Sequence, residues 1–464
     1  MKASGEILLV ACYELGHQPL AVAWPAAFLE RLGYQPAMMD VSVEPFDAER
    51  VKRAKLVAVS VPMHTALRVG VAVTQRVRAA NPDCHLCFYG LYASLNAEYL
   101  FAHGADSVIG GEPEVPLAEL ARALEAGHGQ PAVASVAMPG RPAAPHLRRL
   151  AFPVPSRAQL PSLKSYAHLE REGRHELVAH VEASRGCLHL CRHCPIPPVY
   201  GGRFFAVPRD VVLADVRQQV SAGATHVSFG DPDFLNGPAH AQRLARALHA
   251  EFPALTFDFT AKIEHLLRHR AHLRELAALG CVFIVSAAES LSDTVLGHLA
   301  KGHTRADVAA ALHATREARI ALRPTWVAFT PWTTLADYSE MLDFIETEDL
   351  IDQVEPVQYS LRLLVPPGSL LLESAAMRLH LGALEQETLS YRWAHPDTRM
   401  DGLQEAVTAL VTAAAERGED AAVTFDRVRA LADDVAGALR HPPTAPHFPP
   451  GRPRPPRLTE AWFC

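Results

Sequence analysis

The chain has 464 residues, 49% of them hydrophobic and 20% charged, with a formal net charge of -7. That length suggests roughly two to four domains with sizeable cores, and an acidic balance with no basic stripe argues against nucleic acid as a partner. No apolar run approaches the ~18 residues of a membrane span. Eight scattered cysteines make no disulfide framework. The opening residues do not read as a signal peptide, so the cytoplasm is the expected compartment.

Up to residue 130 the sequence alternates strand and helix patterns. EILLVACYE (Glu6 to Glu14) is a nearly continuous apolar run of the kind buried in a parallel sheet. The helical segment LAVAWPAAFLERLG follows and closes at Gly33. AMMDVSV, KLVAVSVP, HLCFYGLYA and DSVIGGE read as further strands, with helices through ALRVGVAVTQRVRAAN and VPLAELARALEAG. Five strands with interleaved helices predict a Rossmann-like α/β domain over residues 1–130. Its loops ELGHQP, YGLYA and IGGEP fall at strand C-terminal ends, where open α/β sheets bind ligands. Cys84 and Cys87 are three apart in one strand and point to opposite faces, which makes them core residues rather than a joint metal site.

Residues 131–176 are rich in Pro and Arg and predict a linker that wraps rather than folds. A second alternation starts at residue 177. LVAHVEASRG, HVSFGDPDF, LTFDFTAK, CVFIVSAAES, LRPTWVAFTP and DQVEPVQYSL read as strands with amphipathic helices between them. Six such units predict a partial (β/α)6 barrel over 177–375. Residues 376–440 read as helical and Ala-rich. Residues 441–464 hold eight of the 36 prolines, which rules out helix or central strand and predicts an extended arm ending at Cys464.

The segment SRGCLHLCRHCPIP (Ser184 to Pro197) places Cys187, Cys191 and Cys194 within eight residues. Clustered thiolates in a reducing compartment bind zinc or iron–sulfur. Structural zinc needs a fourth ligand, which His189 or His193 would have to supply. A [4Fe–4S] cluster is ordinarily held by four cysteines. With three, one iron keeps an open position for a substrate or cofactor.

This Cys-x3-Cys-x2-Cys spacing, in a loop just after the first barrel strand, resembles the radical S-adenosylmethionine (radical SAM) superfamily, over about residues 177–375. The resemblance implies that Cys187, Cys191 and Cys194 bind a [4Fe–4S] cluster. Its open iron chelates the amino and carboxylate groups of SAM, and reduction cleaves SAM to a 5′-deoxyadenosyl radical. Implied SAM contacts are His193, where the superfamily usually has an aromatic residue, and Gly230 and Asp231 in FGDPDF, where it often has a Gly-Gly-Glu-like turn. Glu289 and Ser290 at the end of the fourth strand and Arg323 in the fifth complete the set. Lys301, in the loop that follows the fourth strand, is a candidate to pair with an anion. As residues alone, Asp231 also fits an Asp-Pro turn capping the next helix, Lys301 a solvated helix-end lysine, and Arg323 a strand-end charge.

The first domain, with IGGEPEVPLAEL, resembles the cobalamin-binding module of the largest radical SAM subfamily. That implies cobalamin contacts at His17, Gln18, Gly90, Gly110 and Gly111. The Asp-x-His-x-x-Gly loop that gives cobalt a histidine in other cobalamin proteins is absent. A Rossmann-like domain that binds nothing and serves as a lid or dimer surface is the alternative. No Gly-x-Gly-x-x-Gly supports a dinucleotide. The ending RLTEAWFC, with VQYSLRLLVPPGSLLL and ELGHQPL, resembles a radical SAM family whose members end in Cys-Cys-Ala-Glu-Pro or Cys-selenocysteine-Ala-Glu-Pro. This implies a selenoprotein whose tail is cut at Cys464, with a vicinal pair suited to redox or soft-ion chemistry.

The expected function is therefore SAM cleavage with cobalamin-dependent methyl transfer to an unactivated carbon of a small-molecule or peptide substrate. A flavodoxin or ferredoxin is the expected electron donor. The alternatives are a radical rearrangement or sulfur, selenium or metalloid chemistry using the tail thiol. In a different class stands an iron–sulfur redox or soft-metal-binding protein that does not cleave SAM.

Overall fold

The structure, a computed structural model, describes residues 1–127, 133–439, 441–449 and 451–460. In the first domain β1 (Ile7–Ala11), β2 (Ala37–Asp40), β3 (Leu56–Ser60), β4 (His85–Tyr89) and β5 (Ser107–Ile109) form an all-parallel sheet in the order 2-1-3-4-5. Every residue of β1 is buried, as its apolar run requires. Leu8, Val57 and Phe88 pack on one face, and Leu9, Ala58 and Cys87 on the other. Cys84 and Cys87 do fall in opposite layers. The strand order reverses between β1 and β3, so the loop after β1 leads into the crevice at the sheet's C-terminal edge.

Past β5 the chain meets residues 137–146. His146 bridges Gly111, and its carbonyl accepts from Glu112 N at 2.8 Å. Gly111 has φ +75°, and a Cβ there would stand 2.5 Å from the His146 oxygen. Gly111→Ala is expected to destabilise the protein by about 1–3 kcal/mol, seen as a lower urea midpoint. An unchanged midpoint would mean that this contact is not held in solution.

The second domain opens with a hairpin of β6 (His168–Arg171) and β7 (Arg174–Val181). The short strands β8 (Ser184–Gly186) and β9 (Phe204–Ala206) pair across the cysteine loop. β10 (His226–Phe229), β11 (Thr256–Thr260), β12 (Cys281–Glu289) and β13 (Ala321–Trp326) then add to β7 in parallel. The result is a curled half-barrel sheet covered by helices, several with firm starts: Thr304 with Asp307 and Thr334 with Asp337 form capping boxes. The sixth predicted strand differs. Residues 351–353 and 356–360 are 3-10 turns, and the sheet continues only as a single parallel bridge between Phe329 and Arg362. Pro356 has no N–H for a ladder, and Gln358 instead receives the N–H of Trp326 at 2.9 Å.

β14 (Leu381–Glu385) and β15 (Ser390–Trp393) form a hairpin inside a stretch that reads as helical, before the helices Thr398–Glu416 and Ala421–Ala436. After the prolines, β16 (Arg457–Leu458) adds antiparallel to β6 at the sheet's edge, a position open to a Pro-rich segment. Thr459 N donates to the His168 carbonyl at 2.9 Å, and Arg457 pairs with Glu170 at 2.7 Å. Leu458 packs on Leu169, Val178 and Phe283, plugging the inner face of the half-barrel.

The two sheets are clamped together. Trp24, on the helix Leu20–Arg31, belongs to the half-barrel's core and meets Phe152 edge-on at 5.2 Å. Arg157 holds Asp215 through Nε and Nη2 at 2.6 and 2.7 Å, Gln18 at 2.9 Å and the carbonyl of His180 at 2.7 Å.

Candidate functional site

The cysteine loop leaves β8 at Gly186, whose φ of +74° no other residue adopts freely; a Cβ there would meet the Arg203 carbonyl at 2.4 Å. Cys187 and Cys191 are buried and Cys194 half-buried. Burial pushes the Cys187 thiol up and the Cys194 thiol up to about 12, and the neighbouring cysteines push the same way. Three cysteines gathered in one loop, two of them resisting ionisation without a counter-charge, are a soft donor set, so the residues fit an iron–sulfur cluster. The loop is pinned by Arg192 N on the Leu299 carbonyl at 2.9 Å. Both of its imidazoles are engaged by carboxylates: His193 Nε2 lies 3.0 Å from Glu289, and His189 Nε2 lies 3.4 Å from Asp233.

Glu289 ends β12 with φ +65°, outside the strand region, which turns its carboxylate back toward the loop. Lys301 meets it at 3.1 Å. Burial would raise this carboxyl, but Lys301 and His193 hold it well below the usual range. Lys301 is 3% exposed, so it is a buried ion-pair partner and not a solvated helix end. Ser290 follows, buried, with its hydroxyl receiving Ser292 N at 3.1 Å. Thus His193, Glu289 and Ser290 come together beside the cysteines.

The remaining SAM candidates lie elsewhere along the sheet. Asp231 receives Ala183 N at 2.9 Å and the Ser184 hydroxyl, tying β10's end to the turn before β8. It is Asp233 that caps the next turn, through Leu235 N at 2.9 Å. Gly230 is required by packing, since a Cβ would stand 2.4 Å from the His180 ring. Arg323 pairs with Glu355 at 2.8 Å and faces the arm near Pro456. Cys464 lies outside the described residues.

Between the two domains lie adjoining cavities of about 280 and 340 Å³. Ser60, Gly90 and Gly111 line the first from the Rossmann-like side, opposite Gly186 and Gly230. The Ser60 hydroxyl there is buried without a partner, while the space beside Gly90 and Gly111 is taken by Val61 and His146, so Ser60 is the polar group on this side that fits a ligand such as cobalamin. Gly110 faces a different cavity, beside Ser94 and Pro142. Gln18 is used by the protein, receiving Arg157 and donating to the Pro161 carbonyl at 3.0 Å. His17 lines the second cavity, stacked on His180 at 4.5 Å with Nε2 2.9 Å from Glu460.

Sequence reasoning missed most of this chamber's polar lining: Glu14, Glu182, Arg185, Asp258 and Glu460. For Asp258 the available signal was the alternation in TFDFT, where every second residue is polar and those residues share one face; the other four lie outside any such pattern. Burial and neighbouring Glu182 push Glu14 up to about 8, and burial pushes Asp231 up to about 7. Folded chains therefore hold protons that unfolded chains release near pH 4. Stability from these two groups is greatest below that range and falls as pH rises toward about 8. Urea midpoints of the cofactor-free protein are expected to fall between pH 6 and 8. A rise over that interval would contradict the burial of these groups.

Among known proteins, the model of the radical SAM superfamily matches residues 181–334. The ribosomal protein uS12 methylthiotransferase RimO of Chlorobium chlorochromatii is 24% identical over 185 residues, covering 37% of this chain and 40% of that protein. A tRNA-2-methylthio-N(6)-dimethylallyladenosine synthase of Desulfosudis oleivorans is 28% identical over 193 residues, covering 39% of this chain and 40% of its own length. The chain thus spans less than half the length of these curated relatives. Similarity in structure extends further. The radical SAM methyltransferase TsrM of Kitasatospora setae, with tryptophan substrate and aza-SAM bound, superposes with a TM-score of 0.61 at 18% identity, over 74% of this chain and 71% of that one. The cobalamin-dependent SAM radical enzyme OxsB, with aqua-cobalamin and SAM bound, gives 0.71 at 14% identity, over 88% and 67%. The chain carries a radical SAM domain, and the fold of both its sheets together is the fold of those two enzymes.

Proposed function

We propose that this chain is a radical SAM enzyme that cleaves SAM reductively and transfers a methyl group, with cobalamin, to an unactivated carbon. One observation carries the reading: a three-cysteine loop and the buried Glu289–Lys301–His193 group sit together at the edge of one parallel sheet, facing a Rossmann-like sheet across a cavity. Cys187, Cys191 and Cys194 would hold a [4Fe–4S] cluster, Glu289 and Ser290 would meet SAM, and Ser60, Gly90 and Gly111 would face cobalamin. When bound, these cofactors supply the electron, the 5′-deoxyadenosyl radical and the methyl group.

The chain's own residues prepare that chemistry. Burial works against the Lys301 ammonium, but Glu289 first and then the cysteines hold it protonated, so its charge would offset the thiolates of a bound cluster. Glu289, held ionised, offers an acceptor for an ammonium or ribose hydroxyl. The apposed sheets exclude water from a reactive radical. Leu188 and Leu190 lie 46% and 57% exposed on the cysteine loop, and a flavodoxin or ferredoxin donor would meet the cluster from that side. Among the described residues no helix is long and apolar enough to cross a membrane.

The test is anaerobic reconstitution with cobalamin, then dithionite and SAM, measuring 5′-deoxyadenosine and bound corrinoid together. Both are expected, the corrinoid at about one per chain. Deoxyadenosine without corrinoid would leave radical SAM chemistry and remove cobalamin. Neither product nor corrinoid, with iron bound, would move the chain to the iron–sulfur redox class.

A further inference from the structure

The cavity of about 340 Å³ between the domains has an unusual lining: five acidic side chains, Glu14, Glu182, Asp231, Asp258 and Glu460, and no lysine or arginine among the described residues. Behind the cavity the buried Arg323 interacts with both Asp258 and Glu460, although its own hydrogen-bonded partner is Glu355. Arg185 reaches Glu182 at 3.0 Å but is shared with Glu112 and Glu114. His226 reaches Asp258 at 3.0 Å. Glu14 has only the N–H groups of Leu20 and Ala21, each at 3.0 Å, and Asp231 only neutral donors.

A second observation points the same way. His17 is 4% exposed and lines this cavity, and its Nδ1 has no partner. Its Nε2 faces the Glu460 carboxylate at 2.9 Å. A carboxylate accepts, so in the neutral ring Nε2 carries the hydrogen and Nδ1 presents a lone pair. His180, stacked on it, is kept neutral by burial, and its Nδ1 is also without a partner. With that tautomer His17 Nδ1 is a buried acceptor beside the Glu460 carboxylate, and a ligand that satisfies both brings N–H donors.

We propose that this chamber receives a positively charged nitrogen of the substrate, a primary ammonium or a guanidinium, at a pole formed by Glu460, His17 and Asp258. The proposal rests on the radical SAM reading, in that it names the class of molecule on which that chemistry acts. It also gives the arm beyond β16 a role, since Glu460 is its contribution to the chamber wall.

Agmatine, which carries both cations, and the neutral 1,5-pentanediol are titrated calorimetrically into reconstituted, SAM-loaded protein, and 5′-deoxyadenosine is assayed in the same preparations. Agmatine is expected to bind saturably and the diol at least about thirtyfold more weakly, with Glu460→Gln and Asp258→Asn each weakening agmatine at least about tenfold. Asp258→Asn serves if Glu460→Gln does not fold. Equal binding of the two probes, or variants that bind agmatine like the parent, would overturn the proposal. So would competition of agmatine with SAM, or its loss on corrinoid loading, because the pole would then belong to a cofactor. Absent agmatine binding with SAM still cleaved sinks this inference alone. Absent SAM cleavage sinks the radical SAM reading, which the binding data do not address.

Discussion

Replacing Cys191 by alanine is expected to abolish SAM cleavage while the fold stays in place. Two thiolates cannot hold a cluster that three already hold with one iron open, so iron should fall from about four per chain to below about one. The loop's backbone does not depend on that side chain: Arg192 N keeps the Leu299 carbonyl, and the Ser369 hydroxyl keeps the Arg192 carbonyl at 3.3 Å. Thermal unfolding of the cofactor-free variant should match the parent. Cys281→Ala is the contrast, because that thiol sits in the half-barrel core and should cost stability without costing iron. A Cys191→Ala protein that keeps its iron and still makes 5′-deoxyadenosine would place the cluster elsewhere.

Arg185→Met should be the most destabilising single change at the junction. The guanidinium meets Glu112 at 2.8 Å, Glu114 at 2.5 Å and Glu182 at 3.0 Å, and stacks over Trp24 and Phe152 at 5.3 and 5.1 Å. Glu112 and Glu114 are each 1% exposed. Burial already raises the Glu114 carboxyl against the pull of Arg185. Methionine keeps the stacking but leaves buried carboxylates without a counter-charge, a loss of about 3–5 kcal/mol. Adding Glu114→Gln should recover part of it, since one unpaired charge is then gone. Denaturant melts read both, and proteolysis between residues 133 and 157 should quicken as the domains part. An Arg185→Met protein as stable as the parent would mean that these carboxylates are protonated and need no partner.

The parallel strands of both domains were legible because buried parallel strands are written as apolar runs, such as ILLVA in β1. The cysteine loop was legible because its chemistry is local: three ligands within eight residues need no tertiary information. The sixth barrel strand failed where Pro356 breaks the ladder and Gln358 serves as a side-chain substitute for it. The acidic chamber was illegible for another reason. Glu14, Asp258 and Glu460 are separated by hundreds of residues, and only sheet register and the arm's return bring them to one cavity. Lys301 was legible as a partner for an anion, but that the anion is Glu289 follows only from the positive φ that turns this carboxylate to it.

The edge strand β16 also bears on how the molecule is made. Arg457 and Leu458 leave the ribosome roughly 260 residues after Cys194, so at ~5–20 residues per second the cysteine loop exists for about 13–50 s before β6 can receive its partner. During that interval the half-barrel's inner face lacks Leu458, and the His17 loop lacks Glu460. Synthesis order thus leaves a period in which assembly factors can reach the interior from the side that the arm later occupies.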